Sequence, residues 1–257
     1  MNARTRKLLE RTLSIATPIV VLLLWEAASR FDWIDSRFFP PPSEVIVGLV
    51  QMFFEPTFWA AVGATMARVV AGFFVGAIPG VLVGLAIGLN PWVRAALNPL
   101  VGSTYPVPKT ALLPLLLLIF GIGEWSKVLF IAIAVFYPVL INTVTGVLQI
   151  RQIYFDVGDN FKADRWRFVR TIAIPGALPT ILAGLRLGAG LALIFVYVGE
   201  ISAGGNTGLG FLMWEAWGIF DVQTMYAGLL MLAIIGYLIN LLFDGFDRWL
   251  VPWRVKK

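Results

Sequence analysis

The 257-residue sequence contains neither cysteine nor histidine. Disulfide bonds, thiolate or imidazole metal ligands and histidine acid–base chemistry are therefore excluded, which removes most enzyme classes. Charged side chains are also scarce, at 14% of residues, where an ordinary soluble domain has about 25%. No Gly-x-x-x-x-Gly-Lys-Ser/Thr phosphate loop occurs, so we do not expect the chain to hydrolyse ATP itself by that route. We predict no catalytic residue, no metal site and no cofactor in this chain.

Apolar residues, by contrast, make up 59% of the chain. One crossing of a lipid bilayer takes about 20 apolar residues in a helix. We therefore predict an all-α, polytopic membrane protein with about six transmembrane helices. Residues 1–60 are expected to hold an N-terminal tail, the first span and an extracytoplasmic amphipathic helix that follows three prolines, and residues 61–257 a core of five spans. The predicted spans are residues 13–30, 61–89, 97–120, 126–150, 178–202 and 224–246.

The 20 Lys and Arg residues are distributed unevenly between the two sides of such a bundle. If the N-terminus lies inside, they concentrate at both termini and between the fourth and fifth spans. The outer connections then hold only Arg30, Arg37 and Lys127. Because positive charge accumulates in cytoplasmic loops, both termini are predicted to be cytoplasmic. The net charge of +5 is thus explained by orientation and by contact with membrane lipid, and no nucleic acid is expected as a partner.

Two of the predicted spans carry local patterns. In the second, Gly72 begins a series of glycines at every fourth residue that ends at Gly88, a spacing that lets another helix approach closely. The third contains Pro106, Pro108 and Pro114, which remove backbone donors. Irregular backbone persists at membrane depth only where protein or a wet cavity satisfies it, so this span is predicted to border a pathway.

The connection 151–177 is charged but studded with apolar residues. Phe161, Phe168 and Ile172 stand seven and four residues apart, which would place them on one helix face and leave the neighbouring arginines outside. We predict a short pair of amphipathic cytoplasmic helices. The residues alone leave two functions open, an interfacial helix on anionic lipid or a docking surface for a protein.

A motif in this connection resembles the cytoplasmic loop of bacterial ABC importer permeases, specifically those of the nitrate, taurine and alkanesulfonate type. That loop reads Glu-Ala-Ala, three residues, Gly, and about nine residues later Ile-x-Leu-Pro. Here the counterparts are Asp156-Val157-Gly158, Lys162 at the glycine position, and Ile172-Ala173-Ile174-Pro175 followed by Gly176-Ala177-Leu178-Pro179. Further similar stretches occur in the same order at residues 39–42, 68–88, 105–109, 120–124, 184–187 and 208–211.

The resemblance implies a permease subunit that moves a small, anionic solute, such as a sulfonate or nitrate, across the bacterial inner membrane into the cytoplasm. It also implies a homodimer of permeases, an extracytoplasmic solute-binding protein and two ATP-binding subunits that carry ATP and Mg. Those subunits would grip the coupling loop, residues 151–179. The residues implied in docking are Asp156, Val157, Gly158, Lys162, Ala163, Arg165, Trp166, Ile174, Pro175 and Pro179.

The first half of the motif departs from the family pattern. Asp156 replaces glutamate, and Lys162 replaces the glycine. Lysine adopts a left-handed turn less readily than glycine does, so a different bend of the loop is an open alternative.

Three cations fall inside predicted spans, namely Arg68, Lys109 and Arg186. An unpaired cation there costs about 2.5–3.5 kcal/mol on insertion scales, so each is expected to have a function or a partner. One hypothesis is that they line the pathway for an anionic solute, and Glu200 is a further pathway candidate. The alternative is that Arg68 and Arg186 cap helix ends or pair with carbonyl groups for structure.

An ion-coupled secondary transporter is the principal competing hypothesis. Proton coupling often needs a carboxylate at mid-membrane, whereas Glu26 and Glu200 lie near the outer ends of their spans. Sodium coupling could use polar side chains as ligands, and a non-transporting assembly subunit is a third possibility. The sodium-ligand candidates are Ser103, Thr104, Asn142 and Thr143.

Overall fold

The computed structural model of the chain describes residues 3–162, 164–202 and 207–253. Throughout these ranges the regular secondary structure is helical. The α-helices are α1 (Ala3–Arg30), α2 (Pro42–Met52), α3 (Pro56–Leu89), α4 (Pro91–Thr104), α5 (Leu113–Phe120), α6 (Glu124–Leu148), α7 (Gln152–Asn160), α8 (Arg165–Phe168), α9 (Ile174–Ser202), α10 (Leu209–Gly218) and α11 (Val222–Leu250). A 3₁₀ turn, Lys109–Leu112, leads into α5, and a π-helical turn, Val169–Ala173, leads into α9.

Five helical segments are individually long and apolar enough to cross a membrane. They are Thr12–Arg30 of α1, α3, α6, the segment Trp166–Ser202 that includes α9, and α11. The segments Pro91–Thr104 and Lys109–Phe120 pass the same test only as a pair, and they meet at a bend of 90°. The predicted all-α fold with about six spans is confirmed.

The direction of α6 relative to α3 shows whether the bent pair crosses the membrane as one span. A Cβ atom added to Gly72 would lie 2.6 Å from Ile131, and one added to Gly88 would lie 2.6 Å from Val147. Residue numbers rise together along the interface, so α3 and α6 are parallel and begin at the same face of the membrane. The chain that joins the end of α3 to the start of α6 must therefore cross once. The bent pair is one broken span, which makes six.

The third span differs from its predicted bounds of residues 97–120. Its first arm begins at Pro91, and the helix is interrupted between Thr104 and Lys109. Pro106 and Pro108 lie in this gap and cannot donate the backbone hydrogen bonds that would continue α4. The predicted start of the span was therefore wrong, whereas the irregular stretch predicted at the prolines is confirmed.

The predicted glycine ridge is confirmed as the contact between α3 and α6. A Cβ on Gly76 would lie 2.2 Å from the carbonyl oxygen of Ala132, so the two backbones touch. Helix α9 runs antiparallel to α6, and Asn142 fills the space beside Gly184, where a Cβ would lie 2.6 Å away. Small residues thus allow three spans to pack closely. The core between them includes the fully or nearly fully buried residues Val69, Ala77, Ile131, Val135, Val139, Ala192 and Val196.

The described residues divide into two compact units. One contains residues up to Trp59 together with Leu212–Met231, and the other contains Ala60–Phe211 and the described residues from Leu232 onward. In the first unit, Ser43 at the start of α2 donates from its backbone nitrogen and its hydroxyl to Glu26 of α1, at 2.9 and 2.7 Å. The amphipathic helix expected after the three prolines is confirmed as α2. The functional division after residue 60 stays a prediction.

Candidate functional sites

A buried ion cluster joins the first half of α3 to the start of α6 and the end of α9. Arg68 donates through Nε and Nη2 to the two carboxylate oxygens of Glu124, at 2.6 and 2.8 Å. Its Nη1 donates to Glu200 at 2.6 Å. Arg68 is 3% exposed and Glu200 is 0% exposed, while the Glu124 side chain is 60% exposed. The guanidinium is thereby held between one buried and one accessible carboxylate.

The Glu200 carboxylate is also bound by neighbouring polar groups. It accepts hydrogen bonds from the Thr65 hydroxyl and from the backbone nitrogen of Gly210, each at 2.8 Å. Gly208 has φ +122°, and a Cβ there would lie 2.3 Å from the Glu200 carboxyl carbon. Only glycine fits that position. The cluster therefore holds the start of α10 against the first half of α3 and the end of α9.

Sequence reasoning did not single out Thr65, Glu124 or Thr207, although all three bind within this cluster. Their partners are far away in sequence, and no local motif marks them. The direction of the spans is the one sequence signal that could have brought these residues together. Spans two and four begin at the face where span five ends, so the polar residues at those ends can meet.

Arg186 on α9 forms a second ionic group. Its Nη2 donates to Asp244 and Asp247 of α11, at 2.7 and 3.0 Å. The Arg186 side chain is 34% exposed and lies on a cavity of about 550 Å³. The polar residues of its lining are Arg186, Asn240 and Asp247, and its other lining residues are apolar. Two carboxylates on one guanidinium leave this group with an excess of negative charge.

Lys109 stands apart from both groups, at the break in the third span. Its Nζ donates to the carbonyl oxygen of Tyr105 and lies 5.0 Å from the centroid of that ring. It also lies 4.5 Å from the ring centroid of Tyr137, which is central in α6. Among the described residues no carboxylate lies within ion-pair distance of Lys109. Whether any of the four candidates lines a pathway stays a prediction.

The candidate sodium ligands bond within their own helices. The Thr143 hydroxyl donates to the carbonyl of Val139, and the Asn142 amide to that of Pro138. Ser103 and Thr104 both donate to the carbonyl of Leu100. Over the described ranges, no group of three or more acidic side chains is placed to hold a metal ion.

The coupling loop contains the predicted pair of short helices, α7 and α8. Lys162 connects them with φ +48°, which is the left-handed conformation that glycine adopts most easily. The bend is therefore made by lysine at the family's glycine position. Whether the whole loop bends as in the family stays a prediction.

Helix α7 packs on the segment that leads into α9. A Cβ on Gly158 would lie 2.7 Å from the ring of Phe168, and the rings of Phe155 and Phe168 are 5.2 Å apart. The expectation that Phe161 shares a helix face with Phe168 and Ile172 was wrong. Phe161 lies in the turn and is 82% exposed, because the chain reverses there.

The residues implied in docking differ in accessibility. Gly158 is buried, and Pro175 and Pro179 are partly buried. Ala163 lies outside the described residues, as does the side chain of Arg165. Trp166, at 71% exposed, is a large apolar surface on the loop. The remaining exposed members are Asp156, Val157, Lys162 and Ile174.

Three comparisons with known proteins bear on these features. Residues 80–256 match the family model described as "Binding-protein-dependent transport system inner membrane component". The chain is 36% identical over 248 residues to the taurine transport system permease protein TauC of Escherichia coli, covering 95% of this chain and 90% of that protein. It is 34% identical over 201 residues to the bicarbonate transport system permease protein CmpB of Synechococcus elongatus, covering 77% and 70%.

The fold is also similar to that of a solved transporter chain. A chain of the inward-facing MetNI methionine ABC transporter superposes with a TM-score of 0.68, at 21% sequence identity. The match covers 77% of this chain and 99% of that one. At this identity the similarity shows the fold alone.

Proposed function

Since the chain belongs to the family of binding-protein-dependent transport system inner membrane components and is a transmembrane permease subunit of an ABC importer, we propose that it moves a small anionic solute into the cytoplasm. The observation that carries this proposal is the coupling loop, a bent helix pair with an exposed tryptophan between α6 and α9. Exposed aromatic side chains of this kind are typical anchors at protein interfaces.

The partners follow from the family. An ATP-binding subunit would dock on residues 151–179, and that partner would hold ATP and Mg, leaving this chain without ATPase activity of its own. An extracytoplasmic binding protein would deliver the solute, and a second copy of the chain would complete a homodimer. Motion of the docked subunits would reach α6 and α9 through the coupling loop and rock the bundles between two access states.

The proposed orientation puts the coupling loop and both chain termini in the cytoplasm. The bias of Lys and Arg toward these segments supports it. The ion cluster of Arg68, Glu124 and Glu200 then lies on the extracytoplasmic side, in the first half of α3 and at the adjoining ends of α6 and α9. Residues 1–60 form the proposed segment of N-terminal tail, first span and extracytoplasmic amphipathic helix, and residues 61–257 the proposed permease core.

The names of the two relatives support a solute that carries an anionic group, because taurine carries a sulfonate and bicarbonate is an oxyanion. Of the pathway candidates, Lys109 is the one whose positive charge no carboxylate offsets among the described residues. Arg68, Arg186 and Glu200 are proposed to border the pathway, where their ion pairs hold the neighbouring helices together. An ion-coupled secondary transporter is not favoured by these relatives.

The test is association with the ATP-binding subunit. Trp166→Ala removes the exposed aromatic from the coupling loop, and we expect the amount of ATPase that co-purifies with the chain to fall about tenfold. Trp92→Ala is the matched control, because Trp92 is also a highly exposed tryptophan, at 84%, but lies on α4 outside the loop. Equal losses in both variants, or none with Trp166→Ala, would contradict docking through this loop. Failure of any ATPase to bind the intact chain would contradict the importer proposal.

A further inference from the structure

The break in the third span lies beside the middle of α6. Tyr105 is at the start of the break, and its ring centroid is 5.9 Å from that of Tyr137. Tyr137 is the fourteenth of the 25 residues of α6, which spans the bilayer. The contact with Tyr137 thus places the break at mid-depth.

The residues at the break are exposed. Residues 102–108 are all accessible within the described chain, and the two prolines leave helical carbonyl groups without their usual donors. In hydrocarbon such groups have no partner, so irregular backbone at this depth lines a water-filled space or is covered by protein. The exposure of these residues favours the first of these two surroundings, a water-filled space beside α4 and α5.

Lys109 is held at this break by weak, exchangeable contacts. Its ammonium group rests on two tyrosine rings and donates to one carbonyl oxygen. A cation on aromatic rings is bound less strongly than one in a charge-assisted ion pair. The ammonium group has further donors that the described residues do not use, and these can accept a passing anion.

We propose that Lys109 is an anion-binding site of the pathway, which binds the oxyanion group of the solute at mid-membrane. In the absence of solute its ammonium group contacts the rings of Tyr105 and Tyr137. The proposal rests on the proposed function and gives its pathway a specific site. The tyrosine rings hold the ammonium when the site is empty and offer apolar contact to the carbon part of a sulfonate. Weak binding suits a pathway, because a solute must also leave.

The contrast with the other intramembrane cations supports this assignment. Arg68 and Arg186 each contact two carboxylates, which satisfy their charge. An anion that approached either would meet those carboxylates as well. Lys109 presents a positive charge at mid-depth without one, among the described residues.

Because the chain has no cysteine, a single introduced thiol can report on the site without background. Thr104→Cys places the thiol beside the break, in the full chain assembled with its ATPase partner in lipid nanodiscs. The probes are a sulfonate-bearing methanethiosulfonate reagent and its trimethylammonium counterpart. We expect the ratio of their reaction rates, anionic over cationic, to fall about tenfold with Lys109→Gln and to recover with Lys109→Arg.

Ile78→Cys is the matched accessibility control, because Ile78 is an exposed apolar residue, at 55%, in the membrane-spanning part of α3. If Thr104→Cys reacts as slowly as Ile78→Cys, the break is not in a wet pathway and the proposal fails. A rate ratio unaffected by Lys109→Gln would overturn it as well. ATPase co-purification, measured on the same samples, tests the importer function separately, since it does not depend on Lys109.

Discussion

Arg68 and Lys109 are both cations inside membrane spans, but their surroundings differ. Arg68 is buried against two carboxylates, a threonine hydroxyl and a carbonyl group. Lys109 is partly exposed at a helix break, on two aromatic rings. The first region ties three spans together, whereas the second leaves a charge available. An intramembrane charge is therefore informative about function only when its partners are known.

The largest expected effect comes from breaking the buried cluster. Arg68→Met leaves the fully buried Glu200 without its cation, and removal of one partner of a buried pair costs about 3–5 kcal/mol of unfolding free energy. We expect a marked fall in the thermal unfolding midpoint of the chain in detergent. Lys109→Met is the control, with a much smaller change because Lys109 has no ion-pair partner among the described residues. Equal midpoints for the two variants would remove the distinction between the regions.

The second largest effect is expected from a variant that disturbs the close contact of α3 and α6. In Gly76→Ala, the added methyl group would lie 2.2 Å from the Ala132 carbonyl oxygen, so the two backbones must separate. Overpacking of this kind costs about 1–3 kcal/mol, measured as a lower unfolding midpoint. Gly63→Ala in the same helix is matched, because nothing lies within 4 Å of the added atom. A loss of stability in Gly63→Ala as large as in Gly76→Ala would show that the contact is not the cause.

The sequence predicted this fold well where the signal is local. The apolar runs indicated six spans, the glycine spacing indicated a packing face, and the prolines indicated the break. The glycine period shows a face but not which helix covers it. The pairing of Arg68 with Glu200 could not be read from a local pattern, because 132 positions separate the two residues. Likewise, seven-residue spacing failed at Phe161, since periodicity assumes a continuous helix and the chain turns there.

The third prediction concerns the other exposed bend, at Lys162. A left-handed conformation costs a non-glycine residue about 1–2 kcal/mol, so Lys162→Gly should stabilise the loop by about 1 kcal/mol. Hydrogen exchange of the α7 amides is expected to slow about fivefold, since it reports local opening. Lys162→Ala removes the same charge without relieving the backbone, and it should not slow exchange. Slower exchange in both variants would assign the effect to charge instead.

The smallest expected effect lies beside the break itself, at Gly102 of α4. Nothing lies within 4 Å of a Cβ added there, in contrast to Gly76 of the packed region. Alanine is favoured over glycine inside a helix by about 0.5–1 kcal/mol, so Gly102→Ala should raise the unfolding midpoint slightly. A fall as large as that expected for Gly76→Ala would mean that a surface outside the single chain packs closely on α4 in the folded protein. The shift in midpoint is then measured on the chain alone and on the assembled complex. The same shift in both indicates that α4 faces water, whereas a fall in the complex only indicates that a second copy covers α4.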